Sequence, residues 1–485
     1  MSNKGSSEPS TIAGSGRQNA PQTSKNSVLL VATLATFVTP FSMSSVNIAL
    51  PAIGAEFGMD AILMGWVTTS FLLSSATFLV IFGRLSDIHG RKRVFTYGVS
   101  IFALASLLIS VSPSPEILIL MRVVQGVGGS MVATTSVALI TSVFPPGERG
   151  KALGINSASV YTGLSAGPFL GGLLTQYLGW RATFLAVVPL MAFVLLLVFI
   201  SMKGEWMEAR GEGFDITGSA VYCFVLVSTV YGFSILPSYA GVAMLAAGLL
   251  GLVAFVRYES RAKSPVLDIR LFRGNRVFTF SNLAALINYA STSAITFLMS
   301  LYLQYVRGLD AQGAGTVLLA QPVIQAVLSP VAGRLSDRIE PRFISSAGMA
   351  IISAGLFALA TISTETPQLL IVANLAVLGF GFALFITPNT NAIMSSVEKR
   401  HLGVASGTLA TMRQVGQTLS MGFAMMVLAL YVGPVKITPP LYPAFMGSLK
   451  VMFAFFALLC LVGMAASLAR GRVAGNSGQP SKTPP

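Results

Sequence analysis

The chain has 485 residues, 53% of them apolar and 10% charged, with a mean hydropathy of +0.74. Ordinary globular domains carry roughly 25% charged residues, so a soluble enzyme, a fibrous protein and a disordered chain are all excluded. At about 20 apolar residues per crossing there is room for roughly a dozen membrane spans. The net charge of +14 would suit a nucleic-acid partner only if the basic residues gathered on one surface, which their placement along the chain decides.

Residues 1–27 are mostly Ser, Gly, Asn, Gln and Pro, the composition of a disordered tail. The apolar run that follows is too long for a secretory signal and lacks its small-residue cleavage site. From Val28 onward, apolar runs alternate with short polar connections: 28–50, 62–82, 94–112, 117–142, 152–178, 181–202 and 215–236, then 240–256, 277–305, 311–332, 342–362, 368–392, 403–431 and 447–469. Runs of this length satisfy their own backbone hydrogen bonds as helices, whereas a barrel would show alternating strands of about ten residues. The predicted fold class is an all-α integral membrane protein of fourteen transmembrane helices, multi-pass in the plasma or inner membrane.

With the N-terminus in the cytoplasm, nearly all the Lys and Arg fall in internal connections and tails. The exceptions are Arg122 and Arg413, inside spans, and Arg181, Arg307, Lys436 and Lys450, at or near the outer side. This is the positive-inside pattern. It puts both termini in the cytoplasm, turns the basic balance into a topology signal and removes the case for nucleic acid. Cys223 and Cys460 lie in apolar runs, and His89 and His401 sit in short basic connections. No metal cluster, catalytic triad or phosphate-binding loop can be assembled from them, so no enzymatic activity, cofactor or metal is expected.

An internal repeat sets the domains. Gly83-Arg84-Leu85-Ser86-Asp87 recurs as Gly333-Arg334-Leu335-Ser336-Asp337, once after the second run and once after the tenth. Two six-helix halves, 28–202 and 277–469, then flank an inserted helix pair and linker at 203–276, with a second disordered tail at 470–485. Parallel duplication of six-helix units around a midplane site is a secondary-transporter architecture.

Residues 83–93, GRLSDIHGRKR, resemble the loop 2–3 signature of the major facilitator superfamily, and Arg122-Val-Val-Gln125-Gly-Val-Gly128 resembles its R-x-x-Q-G-x-G motif. Gly154, Gly163, Gly167, Pro168, Gly171 and Gly172 match the spacing of the antiporter motif of its drug exporters. Asn47-Ile-Ala-Leu-Pro51, Asp215 and the segment 265–272 are similar to its fourteen-span drug:proton antiporter branch. The resemblance covers residues 28–469. It implies a monomeric multidrug exporter working by alternating access, powered by the proton gradient, with lipid, protons and a small molecule as its partners.

Residue roles follow from chemistry and resemblance together. Asp87 among Arg84 and Arg91 suits a latch at the cytoplasmic side that breaks as the halves rock, with Asp337 its counterpart; simple anchoring at lipid headgroups is the alternative reading. The span 5 glycines allow close helix approach and Pro168 bends the span, which fits either a leak-proof seal or ordinary bundle packing. A charge inside a span is a functional candidate by default. The resemblance makes Arg122 a participant in proton coupling, against a structural arginine bonded to carbonyls, and Arg413 shares that status.

The superfamily lines its cavity with the first and fourth helices of each half, which gathers Ser42, Asn47, Gln125, Asn288 and Tyr289, with Asn282, Asn374 and Asn389 on the same helices; Gln321 and Gln325 of the tenth run are expected to join them. The sequence departs from its branch at Ser42, where an Asp is usual, and no Asp or Glu falls in the middle of a span. Neutral or anionic amphiphiles are therefore expected in preference to dications. Asp87 and Asp215 remain as weak proton-carrier candidates; an uncoupled or differently coupled facilitator of a small organic solute is the alternative, with a non-transporting membrane receptor behind it.

Overall fold

The computed structural model describes residues 24–145, 148–209, 211, 213–262, 272, 274–336, 338–398 and 402–471. The expected tails up to residue 23 and beyond 471, Asp337, and most of the segment 265–272 lie outside these. Among the described residues the chain forms fourteen long helical segments. They are α1 (Lys25–Phe57), α2 (Ala61–His89), α3 (Arg91–Ser110), α4 (Pro115–Val143), α5 (Arg149–Leu178), α6 (Arg181–Ser201) and α7 (Ile216–Ser234). The chain continues as α8 (Tyr239–Glu259), α9 (Arg276–Val306), α10 (Ala311–Ser336), α11 (Pro341–Ala360), α12 (Gln368–Ser395), α13 (Leu402–Tyr431) and α14 (Tyr442–Ala469). Twelve are long and apolar enough to cross a membrane, which makes this a multi-pass membrane protein; α5 and α13 are the two outside that set.

Helix starts follow ordinary capping chemistry. The side chains of Asp60, Asp215 and Asp310 accept from the backbone N–H three residues on, at 2.7–2.8 Å. Two expectations shift at the termini. Residues 25–27 belong to α1 rather than to a tail, and Lys25 pairs with Glu148 at 3.2 Å. Arg470, assigned by sequence to the second tail, is fully buried: it donates to Asn389 Oδ1 at 2.9 Å and to the hydroxyls of Ser281 and Ser345 at 3.2 Å. A guanidinium with three neutral acceptors can be held at a helix end that composition alone reads as solvated.

The duplication is visible in the packing. A Cβ on Gly83 would lie 3.9 Å from the Thr134 methyl and one on Gly333 3.4 Å from that of Thr387, while Ser86 and Ser336 each donate to the glycine carbonyl three residues back. In the first half α3 meets α4 through Gly98 and Gly128; in the second, α11 meets α12 through Gly348 and Gly381. A Cβ at any of these four would stand 2.7–3.0 Å from the opposing glycine's carbonyl oxygen or, for Gly128, 2.8 Å from it. Gly163 of α5 closes on the Phe37 carbonyl of α1, and Gly416 of α13 on that of Leu286 of α9.

The halves touch at one end of the bundle, where α1 finishes and α2 begins. Ser300 donates to the Asn47 carbonyl at 2.6 Å and Gln304 to that of Ile48 at 3.0 Å, and Tyr305 reaches Met64 Sδ at 3.6 Å. A Cβ on Gly172 would lie 2.6 Å from the Ala311 carbonyl, and one on Gly65 would lie 2.8 Å from Met425 Cγ. The inserted pair stands outside both halves. Its first helix, α7, lies across α2 and α13: Tyr222 donates to the Ala76 carbonyl at 3.1 Å, and Phe233 covers Gly422. The second, α8, presents exposed Leu249, Leu250 and Val253 outward.

Candidate functional site

A cavity of about 210 Å³ lies between the halves at mid-length of their helices. Its first-half wall is Phe71, Ser75 and Leu79 of α2, Thr36, Met43 and Asn47 of α1, and Val160, Tyr161 and Leu164 of α5. Its second-half wall includes Tyr289 and Thr292 of α9, Gln321 and Gln325 of α10, and Arg413, Gln414 and Gln417 of α13. The repeat puts these in register. Aligning Gly83 with Gly333 sets Phe71 and Ser75 against Gln321 and Gln325; aligning Gly163 with Gly416 sets Val160, Tyr161 and Leu164 against Arg413, Gln414 and Gln417. The long polar side chains, the glutamines and Arg413, thus lie on the second half, whereas the first offers only short polar groups such as Thr36, Ser44 and Asn47 among its apolar ones; each half adds two rings, Phe71 and Tyr161 on the first and Tyr289 and Phe382 on the second. Among the described residues Arg413 is its one charged wall residue, and Tyr289 lines the same cavity.

Of the residues expected from sequence, Asn47, Tyr289, Gln321, Gln325, Arg413 and Pro168 line this cavity together. Ser42, Gln125 and Asn288 do not; all three are buried elsewhere. On α1 the stripe Thr36, Thr39–Pro40, Met43–Ser44, Asn47 follows the helical period, and position 42 falls beside it. Asn374 and Asn389 make bonds within the second half, Asn374 to the Gly355 carbonyl and Asn389 to the Ser281 carbonyl and Arg470. Tyr161, Gln414 and Gln417 were not expected there, although Gln417 follows Arg413 at the four-residue spacing that shares a helix face and Gln414 at the three-residue spacing from Gln417 that does the same.

Arg122 sits outside the cavity wall, fully buried inside the first half. Its Nε donates to the Val67 carbonyl at 2.9 Å and its Nη1 to Gln125 Oε1, while Gln125 passes a bond on to Ser106 at 2.7 Å. The guanidinium stacks 4.5 Å from the centre of the Phe71 ring, whose other surroundings include the cavity. No carboxylate is among these partners.

The loop signature is held by its own half. Arg91, 6% exposed, is paired with Asp87 at 2.7 Å and takes Glu208 bidentately at 2.7 and 2.8 Å, with a further bond to Ser142 at 2.5 Å. Glu208 belongs to the linker after α6. That linker also places Glu205 on the backbone N–H groups of Lys92 and Arg93, at 2.7 and 3.2 Å, capping α3. Gly90, with φ of +115°, admits the Glu205 carboxylate where a Cβ would lie 2.6 Å from its Cδ. Arg84 is half-buried one turn before Asp87. Asp215 caps α7 and accepts from Tyr258 at 3.0 Å, away from the cavity. Asp337 lies outside the described residues.

The span 5 motif divides. Gly163 and Gly167 press on the α1 backbone at Phe37 and Phe41, a Cβ on Gly171 would stand 2.7 Å from Ser45 Cα, and Gly172 faces α10. Ser45 donates to the Gly167 carbonyl at 3.1 Å. Gly154 has nothing within 4 Å of its Cβ position.

Two duplicated helical halves enclosing a central, partly polar cavity are the build of a membrane transporter. The chain matches the Major Facilitator Superfamily model over residues 32–421 and 282–485, and it belongs to that superfamily. It is 33% identical to the cephamycin export protein CmcT of Amycolatopsis lactamdurans, over 85% of this chain and 87% of that one. It is 32% identical to the multidrug resistance protein Stp of Mycobacterium tuberculosis (79% and 71% covered), and 29% identical to the riboflavin transporter RibZ of Clostridioides difficile (82% and 86% covered). Among solved structures, a bacterial homologue of the human lysosomal transporter Spinster superposes with a TM-score of 0.67 at 16% identity, over 92% of this chain and 96% of that one.

Proposed function

We propose that the protein exports small amphiphilic compounds by alternating access, favouring neutral or anionic substrates over dications. The observation that carries this is the mixed cavity: apolar and aromatic side chains from both halves, with glutamines and a single guanidinium on the second. A dication would meet like charge there with no carboxylate to pair it, whereas an amphiphile can lay its ring on one half and its polar groups on the other. Relatives named for export of cephamycin and for multidrug resistance support the direction.

In this reading the protein is a monomer with fourteen crossings and both termini in the cytoplasm. Helices α5 and α13 are the remaining spans: each has 30 residues, about 45 Å at 1.5 Å per residue, and their hydropathy is lowered by glycines and by the side chains they turn to the cavity. The contacts between halves then close the outer end and leave the cavity served from the cytoplasm. Glycines 163, 167, 171 and 172 form the seal that must part when the halves rock, and the Asp87–Arg91–Glu208 cluster keeps the first half rigid as it moves.

Exchange for protons is the coupling that the drug:proton antiporter resemblance implies. A differently coupled carrier is the second reading, favoured by the cavity wall, which offers no carboxylate among the described residues. The test is substrate-dependent dissipation of a pH gradient in inside-out vesicles, over cationic, neutral and anionic compounds. Dissipation by neutral and anionic compounds is expected under antiport. Dissipation by cations alone would overturn the preference, and flux with no dissipation would leave transport standing without proton exchange.

A further inference from the structure

We infer that the substrate is a monoanionic amphiphile whose own negative charge, moving down the membrane potential, drives its export, with Arg413 as the fixed counter-charge. This rests on the transport reading above and decides between its two couplings. Arg413 is half-buried near the middle of α13, and its pseudo-symmetric partner across the cavity is Val160, so the wall carries one positive charge and the described residues give it no negative one. The described Asp and Glu residues sit at helix ends, in caps and in connections. The cavity thus lacks a carboxylate that could trade a proton for substrate, but it holds a permanent cation that an anion can neutralise.

The charge accounting closes without a proton. With a monoanion on Arg413 the one charge of the described cavity wall is neutralised, Arg122 staying fixed within its own half behind Phe71, which lifts the penalty of carrying a bare guanidinium in the cavity. Empty, the carrier returns with its positive charge, in a wall that also carries the Tyr289 hydroxyl and the amides of Gln321, Gln325, Gln414 and Gln417. A potential negative inside favours that return toward the cytoplasm. One negative charge leaves per cycle, worth about 2.3 kcal/mol per 100 mV, or about 50-fold in concentration at 1.36 kcal/mol per tenfold. The glutamines and hydroxyls orient the neutral polar groups, and Phe71 with its apolar neighbours takes the ring.

The experiment uses the full chain in liposomes, strongly buffered to equal pH on both sides with no protonophore, with potassium and valinomycin clamping the lumen at 0 or +100 mV and protein-free liposomes as the blank. The probes are dansylglycine, a monoanion, and its neutral amide. Dansylglycine is expected to accumulate toward about 50-fold at +100 mV and not at 0 mV, while the amide equilibrates under both conditions. Arg413→Gln should lose the accumulation of dansylglycine far more than it slows the amide, and Arg413→Lys should restore the accumulation. Three results would overturn the inference while leaving transport intact: accumulation that follows an imposed pH gradient at zero potential, unchanged dansylglycine accumulation in Arg413→Gln, or carriage of the amide alone. If neither probe moves in folded protein the inference also falls, and the transport reading falls with it only if the whole vesicle panel is silent.

Discussion

Arg122 and Arg413 are the same kind of residue in the same kind of run, and the fold gives them different work. Arg413 faces the cavity; Arg122 is locked behind Phe71, bonded to Val67, Gln125 and the chain of bonds that ends at Ser106. Arg122→Ala should therefore lower unfolding stability by about 2–4 kcal/mol, through lost charge-assisted bonds and a cavity. Substrate affinity should change less than twofold, as read by thermal unfolding in detergent and equilibrium binding; a large affinity loss without destabilisation would put Arg122 at the site after all. In the loop signature, Asp87 is two-thirds buried beside Arg91 whereas Glu208 is 63% exposed. Asp87→Asn should thus depress the unfolding temperature more than Glu208→Gln, because screening by water weakens the exposed partner.

At the scale of the element, α5 tests whether its glycines act as a motif or one by one. The Cβ of alanine at Gly171 would enter the α1 backbone at Ser45, and that backbone cannot rotate away as a side chain could. At Gly154 the space is open, and alanine in place of glycine adds about 1 kcal/mol of helix propensity. Gly154→Ala should keep transport at the level of the parent protein with equal or higher stability, while Gly171→Ala should cut initial transport rates several-fold. Equal effects of the two would reduce the spacing to a coincidence. The spacing was legible in the sequence; which glycines are contacts was not, because that depends on how α1 and α10 lie against α5.

For the whole molecule, the halves meet at one end through Gly65 and Met425, Ser300 and Asn47, and Gly172 and Ala311. A Cβ on Gly65 would be 2.8 Å from Met425 Cγ, which brings the two Cβ positions within the range a disulfide spans. In a background with Cys223 and Cys460 replaced, Gly65→Cys with Met425→Cys should cross-link under mild oxidation. Transport should stop on oxidation and recover with reductant, as expected if this end must open in each cycle. A cross-linked protein that still transports would refute rocking of the halves about this seam. The inserted pair adds a constraint at the same scale, since α7 lies on both α2 and α13 and must slide on one of them as the seam opens.

Hydropathy, the repeat at Gly83 and Gly333 and the placement of basic residues were enough to read helices, halves and family from the sequence, because lipid imposes helix length and backbone self-satisfaction on every span. The register of α2 against α10 was legible too, from Gly83 and Gly333, whereas that of α5 against α13 is shifted by three residues and rests on the contacts of Gly163 and Gly416. Which face each span turns inward was not: an all-apolar helix in a membrane has no wet side to reveal its orientation. Ser42, Gln125 and Asn288 lie on the helices that were expected to line the cavity but are turned away from it, while Tyr161, Gln414 and Gln417 are turned toward it. The scarcity of charge belongs to the sequence. That Arg413 is the one charge among the described residues of the cavity wall, with Val160, Tyr161 and Leu164 as its counterparts on the other half, was decided by tertiary packing, since only the rotation of α13 against α9 and of α5 against α1 determines what the substrate meets.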